Sequence, residues 1–279
     1  MTLPGQASIP SAAARPVQAA PASVSPARAF LAILGRDLYV TGRELPYFVA
    51  QAIIQPLFLL FVFGRILTQL GFARAGYANL LFPGRVALTA VLTAIESTML
   101  PLVIEFSYTK EIEDRLLAPL PTSMVALEKV LFSTLRALVA AAVMFPLGVW
   151  VLGSVPWHAA GAPLAIAVMI LGAMVGSAIG LVLGTFSPPN RISAVFSLIL
   201  TPLLFTGCSQ YPWPSLDRLR WFQVVTAFNP LTYASEGMRA ALVPHVPHIA
   251  AWLCLLVLSV STVGLTALGM KGFRRRALE

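Results

Sequence analysis

The chain has 279 residues, of which 58% are hydrophobic and only 11% are charged, and its mean hydropathy is +0.82. A soluble globular domain carries roughly 25% charged residues, so this composition excludes an ordinary soluble fold and indicates a membrane protein. The formal net charge of +8 does not indicate nucleic-acid binding, because the basic residues lie between apolar runs instead of forming one patch with interleaved aromatic residues.

The first segment, residues 1–26, is rich in Ala, Pro and Ser and lacks a continuous apolar run. Its single basic residue, Arg15, and its missing apolar core do not fit a secretory signal, so we predict a disordered cytoplasmic tail. Residues 27–45 alternate apolar with charged side chains, which is typical of an amphipathic helix that lies in the membrane interface. We predict that residues 27–279 form one membrane domain, which begins with this helix and ends in a basic segment at 271–279.

Six apolar runs follow, and a helix needs about 20 apolar residues to cross the hydrocarbon core. The predicted spans are 46–70, 86–106, 127–152, 164–186, 192–208 and 248–270. The fifth run is the shortest and continues into a semi-polar stretch, 209–242, whose aromatic residues favour short re-entrant or interfacial helices. The sequence therefore predicts an all-α membrane protein with six transmembrane helices.

The distribution of basic residues predicts the orientation of these spans. If both chain ends lie in the cytoplasm, the cytoplasmic segments contain twelve Lys and Arg residues and the outer segments contain six. Basic residues are retained on the cytoplasmic side, so we predict an N-in, C-in topology. Arginine outnumbers lysine and Ala and Pro are abundant, which is typical of a GC-rich bacterial genome. We therefore predict a multi-pass protein of the bacterial inner membrane.

The common catalytic and metal-binding motifs are missing from the sequence. None of the three lysines, Lys110, Lys129 and Lys271, follows a glycine, so the chain has no phosphate loop for ATP. The two cysteines, Cys208 and Cys254, have no metal-ligand spacing, and their apolar surroundings favour packing over a disulfide. We predict no catalytic residue, no metal site and no cofactor in this chain, and no nucleic-acid partner.

Two charged residues fall inside predicted spans, Glu96 in the second and Arg136 in the third. A charge near the bilayer centre costs roughly 2.5 to 3.5 kcal/mol on insertion scales, so each charge needs compensation. At about 1.5 Å per residue both lie roughly 10 to 15 Å from the cytoplasmic ends of adjacent antiparallel spans, and we hypothesise an ion pair. The alternatives are that Arg136 snorkels to the interface and that Glu96 is protonated or faces a water-filled path.

The fourth span carries a glycine at every fourth position. These residues are Gly172, Gly176, Gly180 and Gly184. Such a stripe lets another helix approach closely. The stripe fits close packing within one subunit, which we favour, and it also fits a seam between two subunits.

A short charged segment, 107–123, lies between the second and third spans and reads SYTKEIEDRLLAPLPTS. It mixes charged residues with leucines, so it can form a short amphipathic helix on the cytoplasmic face. A solvated loop bounded by Pro119 and Pro121 fits its composition equally well.

Three segments of the sequence resemble type-2 ABC export permeases. The segment EIEDRLLAPLPTSMVALEKVL, which starts at Glu111, resembles the acidic helix, leucine pair and Pro-Thr turn that precede a span in that family. The segment YANLLFPGRVALTA, at 77–90, resembles the tyrosine and Pro-Gly before the second span, although Arg85 stands where an apolar residue is more usual. The segment NPLTYASEGMRAAL resembles the signature before the last span, and its matching residues are Asn229, Pro230, Tyr233, Glu236 and Arg239. The resemblance covers the chain from about residue 27 onwards.

The resemblance implies a permease subunit that pairs with a second permease, identical or related, and with two copies of a cytoplasmic ABC ATPase that binds Mg-ATP. It implies that an ATPase-docking surface is formed by Glu111, Glu113, Asp114 and Arg115. It further implies that residues 27–45 make a second contact with the ATPase. The expected activity is export, by alternating access, of a hydrophobic or amphiphilic substrate: a drug or antibiotic-like compound, a lipid or a lipid-linked glycan. An ion-gradient-driven secondary transporter and a membrane enzyme or scaffold stay open as alternatives.

Overall fold

The computed structural model describes residues 25–72, 76–109 and 121–278. These residues are predominantly helical, and no β-strand occurs among them. The predicted tail, apart from its last two residues, lies outside the described residues. The same is true of most of the charged segment between the second and third predicted spans.

The described residues form eight α-helices of two turns or more. They are α1 (Pro26–Phe61), α2 (Tyr77–Ile104), α3 (Thr122–Leu152), α4 (Ala162–Phe186), α5 (Ile192–Thr206), α6 (Arg220–Ala227), α7 (Pro230–Leu242) and α8 (Ala251–Leu278). Two of them continue beyond these bounds. Helix α1 continues through a π-helical turn, Val62–Ile66, into a last turn, Leu67–Gln69, and α2 continues into a π-helical turn, Glu105–Thr109.

Within the described residues, five helical segments are long and apolar enough to cross a membrane. They are Ala27–Gln69, Tyr77–Ser107, Thr122–Leu152, Ala159–Phe186 and Ala251–Ala277. Helix α5 is also apolar, but its 15 residues span about 22 Å, less than the roughly 30 Å of the hydrocarbon core. The prediction of an all-α, multi-pass membrane protein is confirmed. The count of six crossings and the N-in, C-in orientation stay predictions.

The predicted interfacial helix and the predicted first span form one continuous helix, α1. No break is found at residues 45–46, and Pro46 and Pro56 both lie inside the helix. A proline removes one backbone hydrogen bond and tends to kink a helix, but it does not end one when the residues on both sides continue the helical pattern. Helix α2 likewise begins at Tyr77, before its Pro83, and therefore earlier than the predicted second span.

Helices α2 and α4 form the centre of the bundle. Helix α4 packs along α2 and α8, while α3 packs against both α2 and α4. The short helix α7 fills the space between α2, α4 and α8, and it is buried along nearly its whole length. Helix α5 buries only Leu200 fully, and its other residues are exposed or half-buried. The stretch 209–242 thus contains short helices, as predicted, and α7 is packed inside the bundle.

The glycine stripe of α4 faces α2 within the same subunit. A Cβ atom added at Gly176 would lie 2.4 Å from the Val91 carbonyl oxygen, and one added at Gly180 would lie 2.7 Å from the Ile95 carbonyl oxygen. The two outer glycines are less tightly packed, because a Cβ at Gly172 or Gly184 would meet side chains at 3.4 Å or 3.0 Å. The stripe therefore serves the contact between the two central helices.

Replacing Gly176 with Ala is expected to destabilise the protein by roughly 1–3 kcal/mol, because the new methyl group would overlap the α2 backbone. Gly264→Ala on α8 is a matched control, since no atom lies within 4 Å of its added Cβ. That control is expected to raise the free energy of unfolding slightly, because Ala favours a helix over Gly by up to about 1 kcal/mol. Thermal unfolding of both variants in detergent checks the pair, and equal midpoints would contradict the close approach of α2 and α4.

Candidate functional site

The family-like segment at 229–242 forms α7 and carries a buried ion pair. The carboxylate of Glu236 and the guanidinium of Arg239 are 2.5 Å apart, and both side chains are fully buried. Glu236 also accepts hydrogen bonds from two backbone amides, that of Trp213 at 2.8 Å and that of Ile249 at 3.1 Å. Arg239 donates to the Cys208 carbonyl at 2.5 Å. The pair thus ties the segments before α6 and before α8 to the centre of α7.

The backbone of Cys208, which Arg239 contacts, has an unusual conformation. Among the described residues, Cys208 is the only non-glycine residue with a positive φ, +50°, a conformation that costs energy in most residues. Its carbonyl is held by the Arg239 guanidinium. Cys208 and Cys254 are both free and buried.

The start of α7 is fixed by Asn229. Its side-chain oxygen accepts a hydrogen bond from the Leu231 amide at 2.9 Å, which caps the helix, and Pro230 occupies the first turn. The Asn229 side-chain amide donates to the Leu203 carbonyl and to the Thr206 hydroxyl, each at 2.8 Å. Asn229 therefore joins the beginning of α7 to the end of α5.

Tyr233 closes the turn between α6 and α7, because its hydroxyl donates to the Ala227 carbonyl at 2.9 Å. Together with the contacts of Asn229, Glu236 and Arg239, this hydrogen bond shows that the family-like residues hold the short helices in place. Arg85, which departs from the family pattern, lies on α2 with 1% of its surface exposed. Its Nε and Nη2 atoms have no hydrogen-bond partner among the described residues.

The opposite end of α2 carries a second buried cluster of charges, which we call the Lys129 cluster. The Lys129 ammonium lies 2.5 Å from the Glu105 carboxylate and 3.9 Å from the Asp37 carboxylate. These residues belong to α3, to the π-helical turn after α2 and to α1, so one ammonium joins three elements. The sequence carried little signal for this cluster, since its members are dispersed over more than 90 positions and only Lys129 falls in a family-like segment.

Arg276 of α8 reaches the same end of the bundle. Its guanidinium donates to the Gly184 carbonyl at 2.8 Å, near the end of α4, and to the Ser107 hydroxyl at 3.0 Å, after α2. It also lies 5.0 Å from the centre of the Phe106 ring. A cation at the carboxyl end of a helix interacts favourably with the unpaired carbonyls there. The ends of α2, α4 and α8 are therefore held together beside the Lys129 cluster.

A polar cavity of about 160 Å³ lies between α1, α2 and α3. Glu96 and Arg136 both line it, together with Phe48 and Gln51 of α1 and Thr93 of α2. The predicted ion pair between Glu96 and Arg136 is not formed. The guanidinium of Arg136 instead lies over the Phe48 ring, 4.1 Å from its centre, so α1 holds this cation.

The predicted ATPase-docking residues, Glu111, Glu113, Asp114 and Arg115, lie outside the described residues. Their segment connects the π-helical turn that ends at Thr109 with α3, which begins at Thr122. Both flanking elements contribute to the Lys129 cluster. Among the described residues, no cluster of His, Cys, Asp or Glu has the arrangement of a metal site.

The comparisons with known proteins identify the family. A sequence profile described as ABC-2 type transporter matches residues 28–243, which is most of the 279-residue chain. No curated protein matches the chain significantly. The matched region begins within α1 and ends just after α7, so it includes the Lys129 cluster, the polar cavity and the Glu236–Arg239 pair. The chain belongs to the family of ABC-2 type transporters and is a transmembrane component of such a transporter.

Proposed function

We propose that the chain is the permease subunit of an ABC exporter, which moves a hydrophobic or amphiphilic substrate out of the cytoplasm by alternating access. The energy would come from separate ABC ATPase subunits, present in two copies, that bind Mg-ATP. Membership of the ABC-2 type family supports a partnership with an ABC ATPase. A drug or antibiotic-like amphiphile is the substrate that we favour, and the bacterial inner membrane is the proposed location.

The Lys129 cluster is the observation that carries this proposal. It joins α1, α2 and α3 at the end of the bundle from which segment 110–120 leaves. A push on that segment would therefore reach three long helices at once, because a buried ion pair transmits displacement between the elements that it joins. The excess of basic residues predicts that this end faces the cytoplasm, where the ATPase subunits would bind.

A second copy of the chain, or a related permease, is proposed as the membrane partner. Helix α5 supports this proposal, since it is apolar and leaves one face exposed while the other face packs against its own subunit. Leu198 and Phe205 are 75% and 63% exposed on this helix. Such a surface is suited to contact with lipid or with another apolar helix.

One observation favours a second candidate, a transporter driven by an ion gradient. Glu96 is a carboxylate in a polar cavity within a membrane-spanning helix, and such carboxylates act as proton relays in pumps and transporters. This candidate predicts transport without nucleotide, whereas the exporter predicts that transport stops when the ATPase is inhibited.

Co-expression with an ABC ATPase encoded beside this chain tests the proposal. We expect the two proteins to purify together and inverted vesicles to accumulate a fluorescent amphiphilic drug only when ATP is supplied. Alanine at Glu111 and Glu113 is expected to lower transport while the ATPase continues to hydrolyse ATP. Asp217→Ala, at an exposed acidic residue far along the chain from this segment, is the matched control. Accumulation that persists without nucleotide would contradict the exporter and support the ion-gradient alternative.

A further inference from the structure

We propose that the polar cavity between α1, α2 and α3 binds a lipophilic cation, with the Glu96 carboxylate as its counter-ion. The inference rests on the proposed function, because it names the chemical class of the substrate. The site that it describes can nevertheless be tested by binding alone. Three properties of the cavity support it. The Glu96 carboxylate lacks a counter-ion among the described residues, the Arg136 guanidinium contacts aromatic rings, and the walls combine apolar surface with a few polar groups.

No counter-ion of the Glu96 carboxylate is found in the described part of the chain. The carboxylate lines the cavity from the middle of α2, and among the described residues no ion pair or hydrogen bond to it is found. Two buried carboxylates elsewhere in the bundle, Glu105 and Glu236, each have a cation within 2.5 Å. An ionised carboxylate inside a membrane is stable only when a cation or hydrogen-bond donors compensate it. A positively charged ligand would supply that compensation at Glu96.

Arg136 does not serve as the counter-ion of Glu96. Its guanidinium lies over the Phe48 ring, and it is also 5.7 Å from the centre of the Phe132 ring. The Arg136 guanidinium thus lies against two aromatic faces, Phe48 of α1 and Phe132 of α3, which leaves the Glu96 side of the cavity for a ligand.

The remaining walls fit the head of an amphiphile. Thr93 and Ser97 lie one turn apart on the same helix as Glu96, and both line the cavity. A primary ammonium has three hydrogen-bond donors, which one carboxylate and two hydroxyls can accept. Leu100 and Pro101 continue the wall as apolar surface. A volume of about 160 Å³ accommodates an ammonium and the first carbons of its chain, and the rest of the ligand would extend from the open side.

Binding to the purified full chain in phosphatidylcholine nanodiscs tests the inference. The probe is a dansyl-labelled alkyl amine, compared with its neutral N-acetyl derivative and with a carboxylate of the same chain length. We expect the amine to bind about tenfold or more tightly than either comparison compound, which is the difference that one hydrogen-bonded charge supplies. Glu96→Gln is expected to abolish this preference, and Asp217→Asn, which removes an exposed carboxylate, is expected to leave it unchanged.

Glu96→Asp keeps the charge and is expected to retain a preference for the amine, so the comparison does not depend on one variant alone. Equal binding of the amine and its acetyl derivative to the unmodified protein would overturn the inference. An undiminished preference in Glu96→Gln, or tighter binding of the carboxylate, would also overturn it. The proposed function is measured separately, as ATP-dependent accumulation in vesicles. Glu96-dependent binding of the amine without such accumulation would leave the site standing and reject the exporter.

Discussion

Replacing Arg239 with Met is expected to lower the free energy of unfolding by about 3–5 kcal/mol, because the substitution leaves the Glu236 carboxylate buried without its cation. The same substitution removes the hydrogen bond to the Cys208 carbonyl, which holds a backbone conformation with positive φ. We therefore expect a lower thermal-unfolding midpoint in detergent and a smaller yield of monodisperse protein. Fluorescence of Trp213, whose backbone amide donates a hydrogen bond to Glu236 of α7, contributes a signal for this transition.

Two further variants test whether the lost stability comes from the unpaired Glu236 carboxylate. Arg218→Met removes an exposed arginine and is expected to change stability by less than about 0.5 kcal/mol. Combining Glu236→Gln with Arg239→Met removes both charges, so part of the lost stability is expected to return. A double variant that is less stable than Arg239→Met would show that the carboxylate alone is tolerated, contrary to the role given to the pair.

The apolar runs of the sequence predicted the long helices because five of the six runs reach the length needed to cross a bilayer, while the remaining run, 192–208, contains only the short helix α5. The aromatic residues of 209–242 predicted short re-entrant or interfacial helices, and the structure has short helices in this stretch. Hydropathy did not predict that residues 27–45 and the first span form one helix, or that α2 begins at Tyr77. Pro46 and Pro83 occur near the predicted starts of spans, and each lies inside a continuous helix. A proline is a frequent helix boundary, but in an apolar helix its cost is offset by packing around it.

The depth of each charged residue within its predicted span did not indicate which residues it contacts. Glu96 and Arg136 are at similar predicted depths, and the structure brings both to one cavity, but it directs the Arg136 guanidinium to Phe48. The direction of a side chain depends on the rotation of its helix, which is set by packing with a third helix, α1. The sequence alone does not give that rotation. For the same reason it did not predict the contact between Asp37 and Lys129.

Helix α2 is the element that contacts every site described above. Its end at Glu105 belongs to the Lys129 cluster, and Glu96 lines the cavity about two and a half turns away. At its other end, Gly84 packs against the Ser209 carbonyl, beside the segment that Arg239 holds. A displacement of α2 at the Lys129 cluster would therefore act on the cavity and on the α7 region together. This arrangement makes Lys129 the residue whose loss is expected to impair transport most.

Replacing Lys129 with Met is expected to reduce ATP-driven transport at least about tenfold while ATP hydrolysis by the partner subunit continues. The ammonium of Lys129 joins α1, α2 and α3, and without it the three helices no longer move as one unit in response to segment 110–120. Stability should also fall, by about 3–5 kcal/mol, because the Glu105 carboxylate loses its buried cation. Transport and hydrolysis are measured in proteoliposomes that contain the permease and its ATPase.

The two effects of Lys129→Met are separable. Adding Glu105→Gln removes the buried negative charge, so the double variant should regain stability, but it lacks the ion pair and should remain uncoupled. Lys129→Arg keeps a cation within reach of the same carboxylate and is expected to retain a measurable part of transport. If the double variant regained both stability and transport, the cluster would be required only for folding. Coupling would then have to pass through other contacts at this end, such as those of Arg276 with Gly184 and Ser107.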